Sequence, residues 1–226
     1  MNARAPRLEA RFWRSRRSAA IAGIVFAVLL LAAFTMLRLA LSADSLQSLE
    51  SDAARRRLIR ISLQLVPFAG IAFLWFIGVI RDQLGDVEDR LFSTVFLGSG
   101  LLFLAMLFIG AVNASSMTAM LAGPDINAEL WAFGRTSTQE LISVYAMRMA
   151  AVFTLSVTTA GLRTSAFPRW LVILGCLVAV TLIVAAGEHK WTQLVFPAWV
   201  LVVSVVILVT RPPTREVAAE QTENPS

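Results

Sequence analysis

The sequence predicts an all-α polytopic membrane protein, a bundle of six transmembrane helices. Apolar residues make up 57% of its 226 residues, against about 45–50% in an ordinary soluble domain. They are grouped in long blocks, without the alternating or 3.6-residue spacing of half-buried elements. Blocks of this kind are typical of membrane spans, because about 20 residues at 1.5 Å each cross a hydrocarbon layer of about 30 Å.

The chain divides into a basic cytoplasmic N-terminal segment (1–17), a transmembrane domain (18–210) and a disordered cytoplasmic tail (211–226). The first apolar block exceeds the 7–15 residues of a usual signal-peptide core, which favours a retained anchor over a cleaved signal. Pro212 and Pro213 end the last helix. The six spans are predicted at about 18–41, 61–80, 92–112, 139–160, 170–186 and 194–210.

Arginine and lysine in the connections predict the orientation. With both termini in the cytoplasm, twelve basic residues fall on the inside, six of them before the first span. The one clear conflict with this rule is an arginine cluster on the outside, at 55–57 and 60, in a segment (45–60) whose apolar residues are typical of a short interfacial helix. The early N-terminal charge usually dominates. We therefore expect a plasma-membrane protein whose basic N-terminus contacts anionic lipids.

Arg148 is the most informative residue, because an arginine near the middle of a span costs about 2.5–3.5 kcal/mol on insertion scales. Ser137 to Glu140 resembles a capping box that starts the fourth span. Arg148 would then lie roughly 16 Å below the outer surface and face the bundle interior. Two interpretations stay open. Arg148 bridges helices or pairs with Glu140, or it binds an anion (a lipid headgroup, a phosphate, a carboxylate ligand or an acid on a partner subunit) that Tyr145 and Glu140 position or neutralise.

Other polar residues fall at the predicted outer ends of the helices and are candidates to line the same outward-facing cavity. They are Gln64, Asn113, Glu188 and His189. Such a protein would be a transporter or an accessory subunit. Two alternatives remain, a membrane enzyme acting on a lipid-linked substrate through Glu188 or His189, and a structural subunit of a larger complex or homo-oligomer.

Recognised catalytic, metal and cofactor motifs are missing from the sequence. It contains no G-x-S-x-G, P-loop or C-x-x-C pattern. The single histidine and the single cysteine, Cys176, provide neither a zinc site nor an internal disulfide. Basic residues are not interleaved with aromatic ones on a surface that would bind nucleic acid. The sequence therefore favours a protein without catalytic residues, metal or cofactor.

Two stretches resemble uncharacterised actinobacterial multi-span membrane proteins. They are LVPFAGIAFLWFIGVIRDQLGDVEDRLFSTVFLGSGLLFLAMLF at 65–108 and GLRTSAFPRWLVILG at 161–175. The resemblance covers most of spans two to six and implies a bacterial plasma membrane. It implies no activity.

Overall fold

The computed structural model describes residues 5–41, 52–84, 90–120, 128–164, 167–189 and 191–210, and within these ranges it is helical with no strand. We number six helices, of which α4 has an α-helical first part (α4a), a π-helical turn and an α-helical second part (α4b). Their bounds are Ala5–Leu41 (α1), Ala53–Leu84 (α2), Arg90–Met120 (α3), Ala128–Glu140 (α4a), Leu141–Ala146 (π turn), Met147–Arg163 (α4b), Arg169–Val184 (α5) and Thr192–Val209 (α6).

The predicted six-helix membrane bundle is confirmed. Five helices are long and apolar enough to cross a membrane, and α5 is a shorter apolar helix of 16 residues. Neighbours in the chain pack against each other, with the closest association between α1 and α2. α6 packs on both α1 and α5 and so closes the ring of helices.

Several helices extend further than the apolar blocks indicate. The helical backbone of α1 begins at Ala5, within the basic segment, whereas residues 1–4 and the predicted disordered tail lie outside the described residues. Residues 53–60, predicted as part of a separate interfacial helix, form the first two turns of α2. Asp52 caps this helix, because its Oδ1 accepts hydrogen bonds from the backbone N–H groups of Ala54 (2.9 Å) and Arg55 (3.2 Å).

The predicted capping box at Ser137 is wrong. Helix α4 begins at Ala128 and runs through Ser137 without a break. The Ser137 hydroxyl instead accepts a hydrogen bond of 3.1 Å from the Asn113 side chain of α3. This contact, together with the packing of Met117 against Gly134, holds α4a along the end of α3.

Phenylalanine rings form the centre of the bundle. The Phe73 ring lies between 4.5 and 6.2 Å, centroid to centroid, from five other rings. These rings come from α1, α2, α3, α4b and α6, and all are fully buried: Phe26, Phe76, Phe103, Phe153 and Phe196. In a bilayer this cluster stabilises the fold by close packing, since lipid tails are as apolar as the core itself.

Candidate ligand site

The α5–α6 loop marks one edge of the apolar layer. Gln193 Nε2 donates a hydrogen bond to Ser143 Oγ, and a Cβ placed on Gly187 would lie 3.0 Å from Val144 of the π turn. The start of α6 and the loop after α5 therefore lie level with residues 143–144 of α4. Arg163, 19 residues further along α4, is about 28 Å away, close to the thickness of a hydrocarbon layer.

Trp191 agrees with this placement. Its indole lies in the same loop, largely exposed, with the Arg38 guanidinium carbon 4.9 Å from the ring centroid. Tryptophan is enriched where membrane meets water. We call this boundary the loop edge, and it lies at the end of the bundle that the topology prediction places outside.

Arg148 lies about 6 Å inside the loop edge, four residues beyond Val144. The depth of roughly 16 Å stays a prediction, but its premise is wrong, because Ser137 lies within α4 and does not start a helix. Arg148 and Tyr145 are both exposed on the outside of the bundle, so the expectation that Arg148 faces the interior is also wrong. Within the described ranges no carboxylate pairs with Arg148, and Glu140 is exposed on the far side of the π turn.

A groove lies between α2 and α3, at the same end of the bundle. It has a volume of about 570 Å³. Its lining is Arg60, Leu63, Gln64, Val66, Pro67, Phe108, Ala111, Val112, Ser115, Thr118 and Ala119. Among the seven predicted site residues, Gln64 lines this groove.

The polarity of the groove changes along its length. Gly110 of α3 packs against Ile142, which lies two residues before Val144 in α4. Phe108 is two residues from Gly110 and therefore lies near the loop edge. Phe108 in turn packs on Gly70 and so brings Pro67 to the same level. Arg60, seven residues from Pro67, lies about 10 Å further out. The groove is thus apolar level with the loop edge and polar about 10 Å beyond it.

The polar end of the groove carries one positive charge. Arg60 is exposed, and in the part of the chain that the structure describes no carboxylate forms an ion pair with it. Gln64 lies one turn away on the same helix, and Ser115 and Thr118 face it from α3. The guanidinium, the amide N–H groups and the Ser115 hydroxyl supply donors, whereas the Thr118 hydroxyl donates to the Ala114 carbonyl (2.8 Å) and has no second proton to donate. This set suits an anion.

The other predicted site residues lie apart from the groove. Asn113 is engaged with Ser137. Glu188 and His189 are exposed in the α5–α6 loop, where the Glu188 N–H donates to Ala185 (3.2 Å) and the His189 carbonyl accepts from Thr192 (3.1 Å). The acid–base alternative needed Glu188 or His189 to share a cavity with Arg148, and none of these residues lines the α2–α3 groove. In the described ranges no three His, Cys, Asp or Glu side chains cluster as a metal site would require.

Sequence reasoning missed Arg60, Ser115 and Thr118. Arg60 was assigned to the charge cluster that conflicts with the orientation rule, although its spacing of four residues from Gln64 places both on one helical face. Ser115 and Thr118 fell in a segment predicted as a loop. In the structure both belong to α3, which packs against α4a.

Compared with protein-family models, curated proteins and solved structures, the chain gives no match. The resemblance to uncharacterised actinobacterial membrane proteins therefore stays a prediction.

Proposed function

We propose that this protein binds an anionic amphiphile, of the chemical class of an acidic phospholipid, in the groove between α2 and α3. One observation supports the proposal: the apolar end of the groove lies level with the loop edge, and its charged end lies about 10 Å beyond that edge. Arg60 holds the anionic group with Gln64 and the Ser115 hydroxyl of α3. The acyl part lies along Pro67, Phe108 and Val112. The protein then acts as a lipid-binding accessory subunit or as a transporter of such a molecule, without catalysis.

The first test is lipid binding by charge variants of α2. In neutral detergent, fluorescent phosphatidylglycerol should bind the purified protein more tightly than fluorescent phosphatidylcholine. Arg60→Gln should weaken phosphatidylglycerol binding about tenfold, since a hydrogen bond to a charged group contributes about 1.5–3 kcal/mol. Arg60→Lys should retain part of the affinity, and added salt should lower it.

Two further variants separate the groove from general electrostatics. Arg57→Gln removes an exposed charge one turn away that does not line the groove, and should leave binding nearly unchanged. Gly70→Ala introduces a Cβ that overlaps the Phe108 ring. The ring must then move at the apolar end of the groove, and phosphatidylglycerol binding should weaken. Gly78→Ala is its control, because a Cβ there meets nothing within 4 Å. Equal losses in Arg57→Gln and Arg60→Gln, or equal affinity for the two lipids, would contradict the proposal.

We also propose that the protein resides in a bacterial plasma membrane with both termini in the cytoplasm. The excess of arginine at the N-terminal end of the bundle supports this orientation. A green fluorescent protein fused after Ser226 should fluoresce, and alkaline phosphatase inserted after His189 should be active, because each reporter works on one side only. The reverse pattern would place the groove in the cytoplasmic leaflet and would leave the lipid proposal intact.

A further inference from the structure

Pro67 interrupts the backbone hydrogen bonds of α2 at the wall of the α2–α3 groove. In a helix each N–H donates to the carbonyl four residues earlier, and proline has no N–H. The Leu63 carbonyl therefore lacks its regular donor. Because this carbonyl points along the helix from Leu63 towards Pro67, and both residues line the groove, the acceptor lies at the groove wall.

The side chains around the Leu63 carbonyl do not replace the missing donor. The Ser62 hydroxyl, which directly precedes Leu63, donates to the Ile59 carbonyl (2.7 Å). Within the ranges that the structure describes, no side chain donates to Leu63. A backbone carbonyl without a donor is costly close to the hydrocarbon layer, so a ligand that brings a donor to this position would gain a hydrogen bond.

The Leu63 carbonyl lies between the charged and the apolar end of the groove. Arg60 precedes Leu63 by three residues, about 4.5 Å along the helix axis. Pro67 and Phe108, at the apolar end, lie about one turn further in. A ligand with its anionic group at Arg60 and its chain at Phe108 therefore passes the carbonyl with the atoms that join the two parts.

The joining atoms of a two-chain phospholipid do not suit this acceptor. They form two ester groups, whose oxygens accept hydrogen bonds and cannot donate them. Set against the Leu63 carbonyl, they would leave it without a partner, and a buried acceptor without a partner costs free energy. A phospholipid with one chain carries a free hydroxyl on its glycerol in place of the second ester, and this hydroxyl can donate to Leu63.

The apolar end of the groove also suits a single chain. A Cβ on Gly70 would overlap the Phe108 ring, so α2 and α3 are in contact just inside Pro67. A second contact follows further along the same two helices, because a Cβ on Gly100 would lie 2.7 Å from Ile77. The groove therefore closes below Pro67, and little apolar surface is available within it for a second chain.

From these observations we propose that the groove binds an acidic lysophospholipid, which has one acyl chain, a phosphate and a free glycerol hydroxyl. The hydroxyl donates to the Leu63 carbonyl, and the chain leaves the groove past Phe108. The inference rests on the proposed function, because it places the phosphate at Arg60. It adds the part of the ligand that the proline in α2 recognises.

The test compares two competitors of equal charge and equal chain, oleoyl lysophosphatidic acid and its deoxy analogue, which lacks only the glycerol hydroxyl. Each displaces fluorescent phosphatidylglycerol from the full-length protein in neutral detergent. The hydroxyl compound should act at about fivefold lower concentration, the effect of one hydrogen bond. Pro67→Ala provides an N–H for the Leu63 carbonyl, so it should weaken the hydroxyl compound alone and bring the ratio close to one.

Pro197→Ala is the matched control, because it makes the same change inside α6 at a position that does not line the groove. It should keep the fivefold ratio. Alanine is the better helix former, so both variants should fold, and gel filtration will check this.

Two results would overturn the inference and leave the anion site in place. The first is equal displacement by the two competitors when Arg60→Gln weakens both. The second is an unchanged ratio in Pro67→Ala, since the hydroxyl would then bind elsewhere. Displacement that Arg60→Gln does not weaken, or a lack of phosphatidylglycerol binding, would contradict the proposed function and this inference with it.

Discussion

Replacing Phe73 by alanine is expected to destabilise the bundle strongly. The Phe73 ring is fully buried and contacts rings from four other helices. Its removal leaves a cavity at the point where those helices meet. In a membrane the separated helices remain in lipid, so the loss comes mainly from the cavity and the missing contacts. We expect about 3 kcal/mol, the lower end of the range for Phe→Ala truncations in soluble cores.

Phe68→Ala is the matched control, because Phe68 lies on the same helix and is 63% exposed. Thermal unfolding in detergent, followed by gel filtration of the remaining folded protein, should show a large fall in midpoint for Phe73→Ala and little change for Phe68→Ala. Similar midpoints for the two variants would mean that the phenylalanine cluster does not hold the helices together.

Gly23→Ala is expected to be the second strongly destabilising change. A Cβ on Gly23 would overlap Ser204 Oγ of α6 and would lie 2.8 Å from the Phe76 ring of α2. Helix α1 would have to move away from both neighbours. Overpacking of this kind costs about 1–3 kcal/mol, even though alanine is the better helix former by about 1 kcal/mol.

Two further variants isolate the cause. Gly98→Ala adds a Cβ where nothing lies within 4 Å, and should be neutral or slightly stabilising by the same unfolding assay. Ser204→Ala removes the overlapping oxygen, a buried hydroxyl with no partner within the described residues. The double variant with Gly23→Ala should recover part of the lost stability. Additive effects of the two substitutions would refute the proposed contact between α1 and α6.

The candidate site was harder to predict than the fold. Gln64 was predicted at the outer end of a span, and the structure places it within α2, lining the groove. Nothing in its sequence neighbourhood indicated that Ser115 and Thr118 face it. Arg148 was singled out because an arginine inside a membrane span costs free energy. Its depth, however, was calculated from a helix start at Ser137, which the structure does not have. The Ser137–Glu140 pattern satisfies the local rule for a helix cap. In the structure, however, the Ser137 hydroxyl accepts a hydrogen bond from the Asn113 side chain of α3.

The sequence by itself determined the membrane environment, the all-α class and the number of helices. These follow from the length of the apolar blocks, because each block must satisfy its backbone hydrogen bonds within one helix that crosses the lipid. Only the tertiary structure decided how far α2, α3 and α4 project past the loop edge, which side of α4 is exposed and where a groove opens. Those features depend on contacts between helices distant in sequence, such as Gly187 with Val144 and Gly70 with Phe108, and the pattern within a single helix does not encode them.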